Sequence, residues 1–507
     1  MLKISDTSIK KTITMNILLV YPKYPDTFWS FKHALKFISK KAVNPPLGLI
    51  TISALLPENW HKKLIDMNIE KLRKKDLLWA DYVFISAMNI QLESTMEVIE
   101  KCHSLNKVMV GGGPLFTEEF ENFKSIHHLV LNEAELTLPA FLKDLELGNP
   151  KHIYQSNEFA KLTKTPLPDY ALVKTAKYNT MNLQWTRGCP FNCEFCDITA
   201  LFGHRVRMKT KEQIILELEA IYHTGWRKNV FFVDDNFIGN RTILKTELLP
   251  AIIEWMDNKN YPFRFSTEAS INLADDDQLM DLMTRAGFST VFIGIETTEL
   301  ASLEECGKTQ NTKRNMIQNV HKIQDYGLEV NGGFILGFDH DSPKVFQKQI
   351  DFIRNSGIIS AMVGLLNAPR RTRLYKRLKK EGRIIKETSG NNTDFSLNFI
   401  PKMEKQLLMD GYKRVIKEIY GGKEYYERVL VFIKRFSPNN RNKTKITFSH
   451  ILAFFHSFFS LGFTDSHRYH YWKLFFWTLI NRPKLLPLAI TYSVYGFHFR
   501  KVFKNVL

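Results

Sequence analysis

Residues 181–196 read MNLQWTRGCPFNCEFC and join a short strand pattern to a loop that carries three thiols. Cys189, Cys193 and Cys196 have the spacing C-x-x-x-C-x-x-C, which lets three side chains of one short loop face a common point. Thiolates are the preferred protein ligands of iron in a cluster, and three thiolates on a four-iron cube leave one iron without a protein ligand. The segment therefore predicts a [4Fe-4S] cluster with one open iron at the end of a strand.

A structural zinc site is the alternative interpretation of these thiols. Such a site needs four ligands, and the nearest additional candidate, His204, has no Cys or His partner at a suitable spacing. The N-terminal residues lack the apolar core of a secretory signal, so the two other cysteines, Cys102 and Cys306, are not expected to form a disulfide. We therefore expect an iron–sulfur cluster in an intracellular, cytoplasmic protein.

Strand and helix patterns alternate downstream of this segment. Six apolar strand patterns follow one another between residues 179 and 366: MNLQW, NVFFVDD, FRFSTEA, TVFIGIE, EVNGGFILGF and SAMVGLL. Six units are too many for half a sheet and too few for an eight-fold barrel, so the sequence predicts a partial (β/α)6 barrel.

A second alternating region precedes the barrel and covers residues 16–150. Its strand patterns, NILLVYP, KLID, DYVFISA, KVMVGGGP and HHLVLNEAE, predict a doubly wound parallel sheet and hence an α/β fold. The ligand crevice of such a domain lies at the carboxyl ends of the strands, near Tyr21, Ser86, Gly111 and Asn132. Residues 151–178, with two prolines and no periodicity, are expected to form a linker.

The C-terminal part is predicted to be helical over residues 367–445 and to form an aromatic helical region over 446–507. Residues 446–464 carry no formal charge, but their His, Ser and Thr content argues against a spanning helix. Packing on the protein and contact with the inner face of a membrane both remain open. The net charge of +18 permits nucleic-acid or membrane binding, but no RNA-binding module is recognisable, which disfavours nucleic acid.

Polar residues follow the barrel strands at the mouth, where an open iron would lie. Such an iron suits chelation by the amino and carboxylate groups of S-adenosylmethionine, whose one-electron reduction releases a 5′-deoxyadenosyl radical. Asp234, Asp235 and Asn236 follow the second strand and are candidates to hold the methionyl amino group, with a turn or helix N-cap as the structural alternative. Glu268 and Glu296 end the third and fourth strands and are candidates to bind the ribose hydroxyls.

The segment RGCPFNCEFC resembles the cluster loop of the radical S-adenosylmethionine (SAM) superfamily. The resemblance implies that Phe195, before the third cysteine, lies beside the adenine, and that reduction requires an external one-electron donor of the flavodoxin or ferredoxin type. In NGGFILGF, Gly332, Gly333 and Gly337 would let the backbone approach the nucleoside, although glycine in a strand also marks bulges.

The first domain resembles the cobalamin-binding domain of cobalamin-dependent radical SAM enzymes, in the segments NPPLGLITISALLP, WADYVFIS, VGGGPLFTEE and LNEAELTLPAFL. NFIPKM, GYKRVIKEIY and YYERV resemble the C-terminal extension of the branch that includes the hopanoid C-2 methylases. The resemblance covers nearly the whole chain and implies cobalamin as a third cofactor. Gly111, Gly112 and Gly113 would pass close to the corrin, with a tight turn as the alternative, and Glu133 and Glu135 are weaker candidates.

Two features depart from the patterns of related proteins. The motif D-x-H-x-x-G is absent, so the sequence offers no histidine as a lower cobalt ligand. In APRRTRLY, after the sixth strand, Arg371 makes the substrate side of the barrel more basic.

The resemblance implies methylation of an unactivated carbon in a small-molecule or lipid-like substrate. One SAM would methylate cobalamin, a second would generate the radical, and the substrate radical would collect the methyl group. Radical rearrangement, cyclisation or oxidation without methyl transfer is the alternative within the same architecture. A basic RNA-binding or RNA-modifying protein is the alternative of another class.

Overall fold

The computed structural model describes residues 14–391, 393–438, 448–504 and 506, and of residues 448–452 the backbone alone. The basic stretch KRFSPNNRNKTK, residues 434–445, is therefore described only as far as 438. The described residues form two parallel sheets, each with six strands, followed by a helical C-terminal region.

The first sheet has the strand order β2-β1-β3-β4-β5-β6, and all of its strands are parallel. The apolar residues 17–20 of β1 are fully buried, because helices cover both faces of the sheet. This confirms the predicted doubly wound domain. Its strands are β1 (Asn16–Tyr21), β2 (His61–Asp66), β3 (Tyr82–Ser86), β4 (Val108–Gly112), β5 (His128–Val130) and β6 (Ile153–Tyr154). Its helices are α1 (Lys32–Leu35), α2 (Leu47–Leu55), α3 (Lys74–Trp79), α4 (Leu92–His103), α5 (Pro114–Glu119) and α6 (Ala134–Glu146).

Strand β6 lies inside the segment that was expected to be a linker. The backbone N–H of Leu129 donates to the carbonyl of His152 (2.7 Å), and that of Leu131 donates to the carbonyl of Tyr154 (2.8 Å). These bonds cover the edge of β5, which would otherwise present unpaired backbone groups. The first sheet therefore extends to residue 154, beyond the expected boundary at 150.

The second sheet has the order β14-β13-β12-β11-β10-β7, again with parallel strands, and confirms the predicted six-stranded partial barrel. Its strands are β7 (Thr180–Leu183), β10 (Asn229–Phe232), β11 (Arg264–Ala269), β12 (Phe288–Glu296), β13 (Glu329–Leu336) and β14 (Ala361–Leu365), and the hairpin β8 (Thr186–Arg187) and β9 (Arg207–Met208) follows β7. The helices of this region are α7 (Ile198–Phe202), α8 (Lys211–His223), α9 (Arg241–Ile243), α10 (Leu249–Asn258), α11 (Asp277–Ala286), α12 (Leu300–Glu305), α13 (Met316–Asp325) and α14 (Val345–Ser356).

A partial barrel leaves two strand edges open, and other parts of the chain cover both. At the β7 edge, the Thr180 N–H donates to the carbonyl of Val43 in the first domain (2.9 Å). At the β14 edge, the Tyr412 hydroxyl donates to the Val363 carbonyl (3.0 Å), and the Tyr420 hydroxyl donates to the Ala361 carbonyl (2.6 Å). The edges are thus paired by the first domain on one side and by the C-terminal region on the other.

The C-terminal region consists of α15 (Arg373–Lys380), α16 (Lys405–Tyr420), α17 (Gly422–Arg435), α18 (Phe448–Phe459), α19 (Arg468–Asn481) and α20 (Leu486–Val502). Helix α20 returns to the first domain, where the Phe499 and Phe28 rings stack at 4.3 Å and His498 Nε2 lies 3.0 Å from the Phe28 carbonyl oxygen. Among the helices that the structure describes, none combines the length and the apolar character needed to cross a bilayer.

Candidate cluster and cofactor site

The three-thiol loop leaves β8 and is anchored by the end of the second barrel strand. The Asp234 carboxylate accepts hydrogen bonds from the Thr186 hydroxyl (2.6 Å) and N–H and from the Trp185 N–H (3.3 Å). Asp235 accepts from the N–H of Gly188 (3.0 Å), whose φ of 91° takes the chain into the loop. Asp234 therefore holds the loop in place through three hydrogen bonds to the protein.

Asn236 and Glu268, two further residues predicted to contact SAM, differ in whether they have a hydrogen-bond partner in the protein. Asn236 Oδ1 accepts from the Ser270 N–H (3.3 Å) and so joins two strand ends, a structural role. Glu268 lies deep in the protein, and burial, with Asp235 and Asp234 nearby, raises its pKa to about 8. Burial likewise raises the pKa of Asp235 to about 6 and that of Asp234 to about 7. Glu268 is thus an acid at the barrel mouth that remains suited to hydrogen-bond a ligand hydroxyl.

Glu296 was expected to bind the ribose hydroxyls, but its carboxylate forms an ion pair within the protein. Lys308 Nζ lies 2.6 Å from Glu296 Oε1, and both side chains are largely buried. The charge of Lys308 also acts on the thiols of Cys193 and Cys196, which places this cation beside the cluster loop. Lys308 is a residue that the sequence analysis did not identify, since nothing in its neighbourhood of the sequence indicates a partner at Glu296.

The thiols fit a four-iron cluster better than a zinc ion. Among the described residues, no three His, Cys, Asp or Glu side chains converge tightly enough to hold one metal ion, whereas a cube binds each thiolate through a different iron. The fourth nearby thiol, Cys306, donates to the Leu303 carbonyl (3.5 Å) and is not needed as a ligand. Burial raises the pKa of Cys189, Cys193 and Cys196, so cluster binding must displace thiol protons.

Phe195 and the three glycine candidates lie in or beside β13, the fifth strand of the barrel. The Phe195 ring meets the Phe338 ring edge-on at 6.0 Å, directly after Gly337, whose φ is 105°. A Cβ atom on Gly333 would lie 2.8 Å from the Phe292 ring inside the barrel. A Cβ atom on Gly332 would instead meet Phe334 and Ile358 on the outer face, so Gly332 does not face the lumen.

Two acids of the first domain bind the hairpin that carries the cluster loop. Glu133 Oε1 and Oε2 accept from the Arg207 guanidinium, each at 2.7 Å, and Arg187 lies 2.8 Å from Glu135. All four side chains are at most 13 % exposed. We call these four residues the interdomain ion cluster. Glu133 and Glu135, weaker candidates for corrin contact, instead attach the first domain to the barrel.

The C-terminal region supports the cluster loop from the opposite side. Arg377 of α15 binds both carboxylate oxygens of Glu194, at 2.8 and 3.0 Å, and also pairs with Asp339 at 2.9 Å. Arg373 donates to the Asn192 carbonyl at 2.7 Å. The cluster loop is therefore held by the first domain, the barrel and the C-terminal helices together, which fixes it relative to all three.

A crevice lies at the carboxyl ends of β3, β4 and β5, and Ser86, Gly111 and Asn132 line it as predicted, together with Ala134. Tyr21, which was also predicted there, does not line it, and its hydroxyl contacts the hydroxyl of Tyr24. The glycine triplet has a structural explanation of its own. Gly113 has φ 87°, and Cβ atoms on the three glycines would meet neighbours at 2.7 to 3.1 Å. The predicted turn role is thus present, and the crevice itself is the better indication of a ligand.

The ends of the first sheet face the barrel. Arg371, expected on the substrate side of the barrel, donates to the carbonyl of Thr117 after β4. Trp29, in the segment after β1, donates to the sulfur of Met362 on β14 (2.9 Å). Because strand-end segments of the first domain reach the barrel in this way, a ligand in the crevice would lie next to the barrel.

Comparison with known proteins agrees with this architecture. The family model of the radical SAM superfamily matches residues 183–353, and a domain of unknown function (DUF4070) matches residues 372–507. The structure is similar to the radical SAM methyltransferase TsrM from Kitasatospora setae with cobalamin and [4Fe-4S] cluster bound, at a TM-score of 0.60 and 15% identity over 97% of this chain and 100% of that one. It is also similar to the cobalamin-dependent SAM radical enzyme OxsB with aqua-cobalamin bound, at a TM-score of 0.61 and 15% identity over 97% of this chain and 80% of that one.

Two curated relatives are closer in sequence. An uncharacterized methyltransferase of Synechocystis sp. is 37% identical over 96% of this chain and 91% of its own length. The hopanoid C-2 methylase of Rhodopseudomonas palustris is 36% identical over 75% of this chain and 73% of its own length. The radical SAM domain implies a [4Fe-4S] cluster and SAM. The chain thus belongs to the radical SAM methyltransferases, the family that includes the hopanoid C-2 methylase.

Proposed function

We propose that this enzyme methylates an unactivated carbon of a lipid-like substrate with a methyl group carried by cobalamin in the first domain. The observation that supports this most directly is the crevice at the carboxyl ends of β3–β5, in a domain whose strand-end segments contact the barrel. The likeness to TsrM and OxsB, whose structures hold cobalamin, points in the same direction.

The chain's own part in this reaction is to hold its cofactors in fixed positions. When bound, the cluster and SAM supply the hydrogen-abstracting radical, and the cobalamin supplies the methyl group. Asp234 and Asp235 fix the start of the thiol loop, and Arg377 fixes its middle through Glu194. Such positioning between two domains is the main contribution that a protein makes to radical chemistry. Reduction of the cluster requires an electron donor, for which we propose a flavodoxin or ferredoxin.

Cobalamin binding can be tested with two tryptophan substitutions on one helix. Ala134 lies at the crevice, whereas Ala140 is exposed on the same helix. After incubation with hydroxocobalamin and desalting, we expect the wild type and Ala140→Trp to retain the corrin absorption and Ala134→Trp to lose it. Iron content should be equal in all three proteins and should be lost only in Cys193→Ala. A wild type that retains no corrin, and that acts equally without it, would contradict the proposal.

We further propose that the enzyme contacts an anionic membrane surface through α18, α19 and the turn between them. Five large apolar side chains here are more than half exposed and define the aromatic face: Phe455, Phe459, Phe463, Phe476 and Ile480. Lys473 and Lys484 are exposed in the same helical region. Aromatic side chains beside lysines are typical of helices that lie at the headgroup boundary. A relative that is named for its action on hopanoids is consistent with a lipid substrate.

The membrane proposal is tested by flotation with anionic liposomes at low and high salt. A truncation would remove α20, which packs against the first domain, so point substitutions are the better tool. We expect Phe459→Ser/Phe463→Ser to stay in the protein fraction and Leu147→Ser, at an exposed site of the first domain, to float like the wild type. If the wild type does not float at low salt, the aromatic face has another role.

A further inference from the structure

Helix α15, which opens the C-terminal region, carries a basic surface beside the cluster loop. Its eight residues, RLYKRLKK, include five cations and no acid. Its two leucines and its tyrosine are buried, which fixes the orientation of the helix. The side chains that remain exposed are those of Arg373, Lys376, Lys379 and Lys380, which we call the α15 basic face.

The acids near this helix are paired with other cations. Arg377 pairs with Glu194 at 2.8 Å and with Asp339 at 2.9 Å. Arg383 pairs with Glu381, the residue that follows α15, at 2.9 Å. Among the ion pairs between described residues, none involves the α15 basic face. The positive charge of this face is therefore not compensated by an ion pair in the described part of the chain and is available to a partner.

The α15 basic face begins at the exposed edge of the cluster loop. Arg373 Nη2 donates to the Asn192 carbonyl at 2.7 Å, and Asn192 is exposed. The Leu374 N–H donates to the Glu194 carbonyl at 3.0 Å. These two bonds attach the first turn of α15 to the residues on either side of Cys193. A partner docked on the α15 basic face would therefore lie next to a predicted cluster ligand.

We propose that the α15 basic face is the docking surface for an acidic one-electron carrier of the flavodoxin type. The proposal rests on the donor that the proposed function requires and assigns its place of contact. In the docked complex one electron leaves the reduced flavin and enters the cluster, and no atom passes between the two proteins. The docking role also gives a function to part of residues 372–507, which match a domain of unknown function.

Charge and size both suit such a carrier. Opposite charges steer two proteins together and hold them in one register, which raises the rate of encounter by about tenfold or more. Electron-transfer complexes also have small interfaces, below about 1,200 Å² in total. Helix α15 is about 12 Å long, so the helix and the adjoining edge of the cluster loop can form the centre of such an interface.

Binding of flavodoxin to the cluster-loaded, full-length protein at low ionic strength tests the proposal. Lys376→Glu/Lys380→Glu should weaken binding at least about tenfold, because two attractive charges become repulsive. Lys376→Gln/Lys380→Gln, which only removes the charges, should have an intermediate effect. Lys413→Glu/Lys417→Glu is the matched control, since it reverses two exposed lysines at the same spacing on α16 and should weaken binding much less. The wild-type affinity should fall with added salt, and it should fall less in Lys376→Glu/Lys380→Glu.

The rate of cluster reduction separates docking from damage to the cluster loop. At concentrations below saturation, reduced flavodoxin should reduce the cluster of Lys376→Glu/Lys380→Glu at least about tenfold more slowly than that of the wild type. Dithionite, which needs no docking surface, should reduce both at the same rate, and both should contain equal iron. Equal flavodoxin affinities of the charge-reversed and control proteins would overturn the docking surface alone. A wild type that dithionite reduces but flavodoxin neither binds nor reduces would overturn the donor as well, and corrin retention reports separately on methyl transfer.

Discussion

The interdomain ion cluster provides a direct test of how the first domain is attached to the barrel. In Glu133→Gln the shape of the side chain is kept, but the Arg207 guanidinium loses the carboxylate that it binds through two contacts of 2.7 Å. Removing one partner of a buried ion pair costs about 3–5 kcal/mol. Arg207 retains the carbonyls of Ala160 and Phe202, so we expect the lower end, about 3 kcal/mol.

Thermal unfolding of the cluster-free protein measures this loss. With an unfolding entropy of about 2.1 cal/mol/K per residue, a chain of 507 residues loses about 1 °C per kcal/mol, so the midpoint of the transition should fall by about 3 °C. Asp275→Asn is the matched control, because it removes an exposed pair with Arg314, worth at most about 1 kcal/mol. Equal midpoints for the Glu133→Gln and Asp275→Asn proteins would refute the reasoning and show that the ion cluster does not stabilise the attachment.

Two further predictions concern the barrel. Burial raises the pKa of Glu268 from 4.5 to about 8, so the folded apoprotein binds one proton more than the unfolded chain between these pH values. The free energy of unfolding of the wild type therefore falls as the pH rises from about 4.5 to 8. Urea unfolding at several pH values should show a smaller fall for Glu268→Gln. Tyr412→Phe leaves the buried Val363 carbonyl without its hydroxyl donor and should lower the free energy of unfolding by about 1–3 kcal/mol. Tyr469→Phe, at an exposed site, should change this free energy little. Equal effects of the two substitutions would contradict the role of Tyr412 at the strand edge.

Local patterns in the sequence were sufficient for the two sheets and for the cluster loop. Residues 17–20 and the alternation along β11 carry their strand signal in adjacent residues, and the cysteine spacing lies within one loop. Hydrophobic periodicity depends on neighbours in the chain, so it can be read without the tertiary structure. The short strand β6 escaped prediction because two residues are too few to show a period.

The roles of the buried acids could not be read in the same way. Glu296 and Glu268 both end barrel strands, but Lys308 pairs with the first and no cation is hydrogen-bonded to the second in the described part of the chain. Likewise, Glu133 meets Arg207 across 74 residues of sequence. A strand-end acid has the same local sequence whether its partner is a ligand or a distant basic side chain, so only the tertiary arrangement separates the two cases.

The docking of α20 against Phe28 has a consequence for biosynthesis. The two elements are 470 residues apart in the sequence, at His498 and Phe28, so they can meet only when translation is nearly complete. At about 5–20 residues per second, the first domain, whose last strand ends at Tyr154, would wait for about 17–70 s on the ribosome with aromatic surface around Phe28 uncovered. The nascent chain is therefore expected to need chaperone protection during this interval, and slowing translation should increase its aggregation.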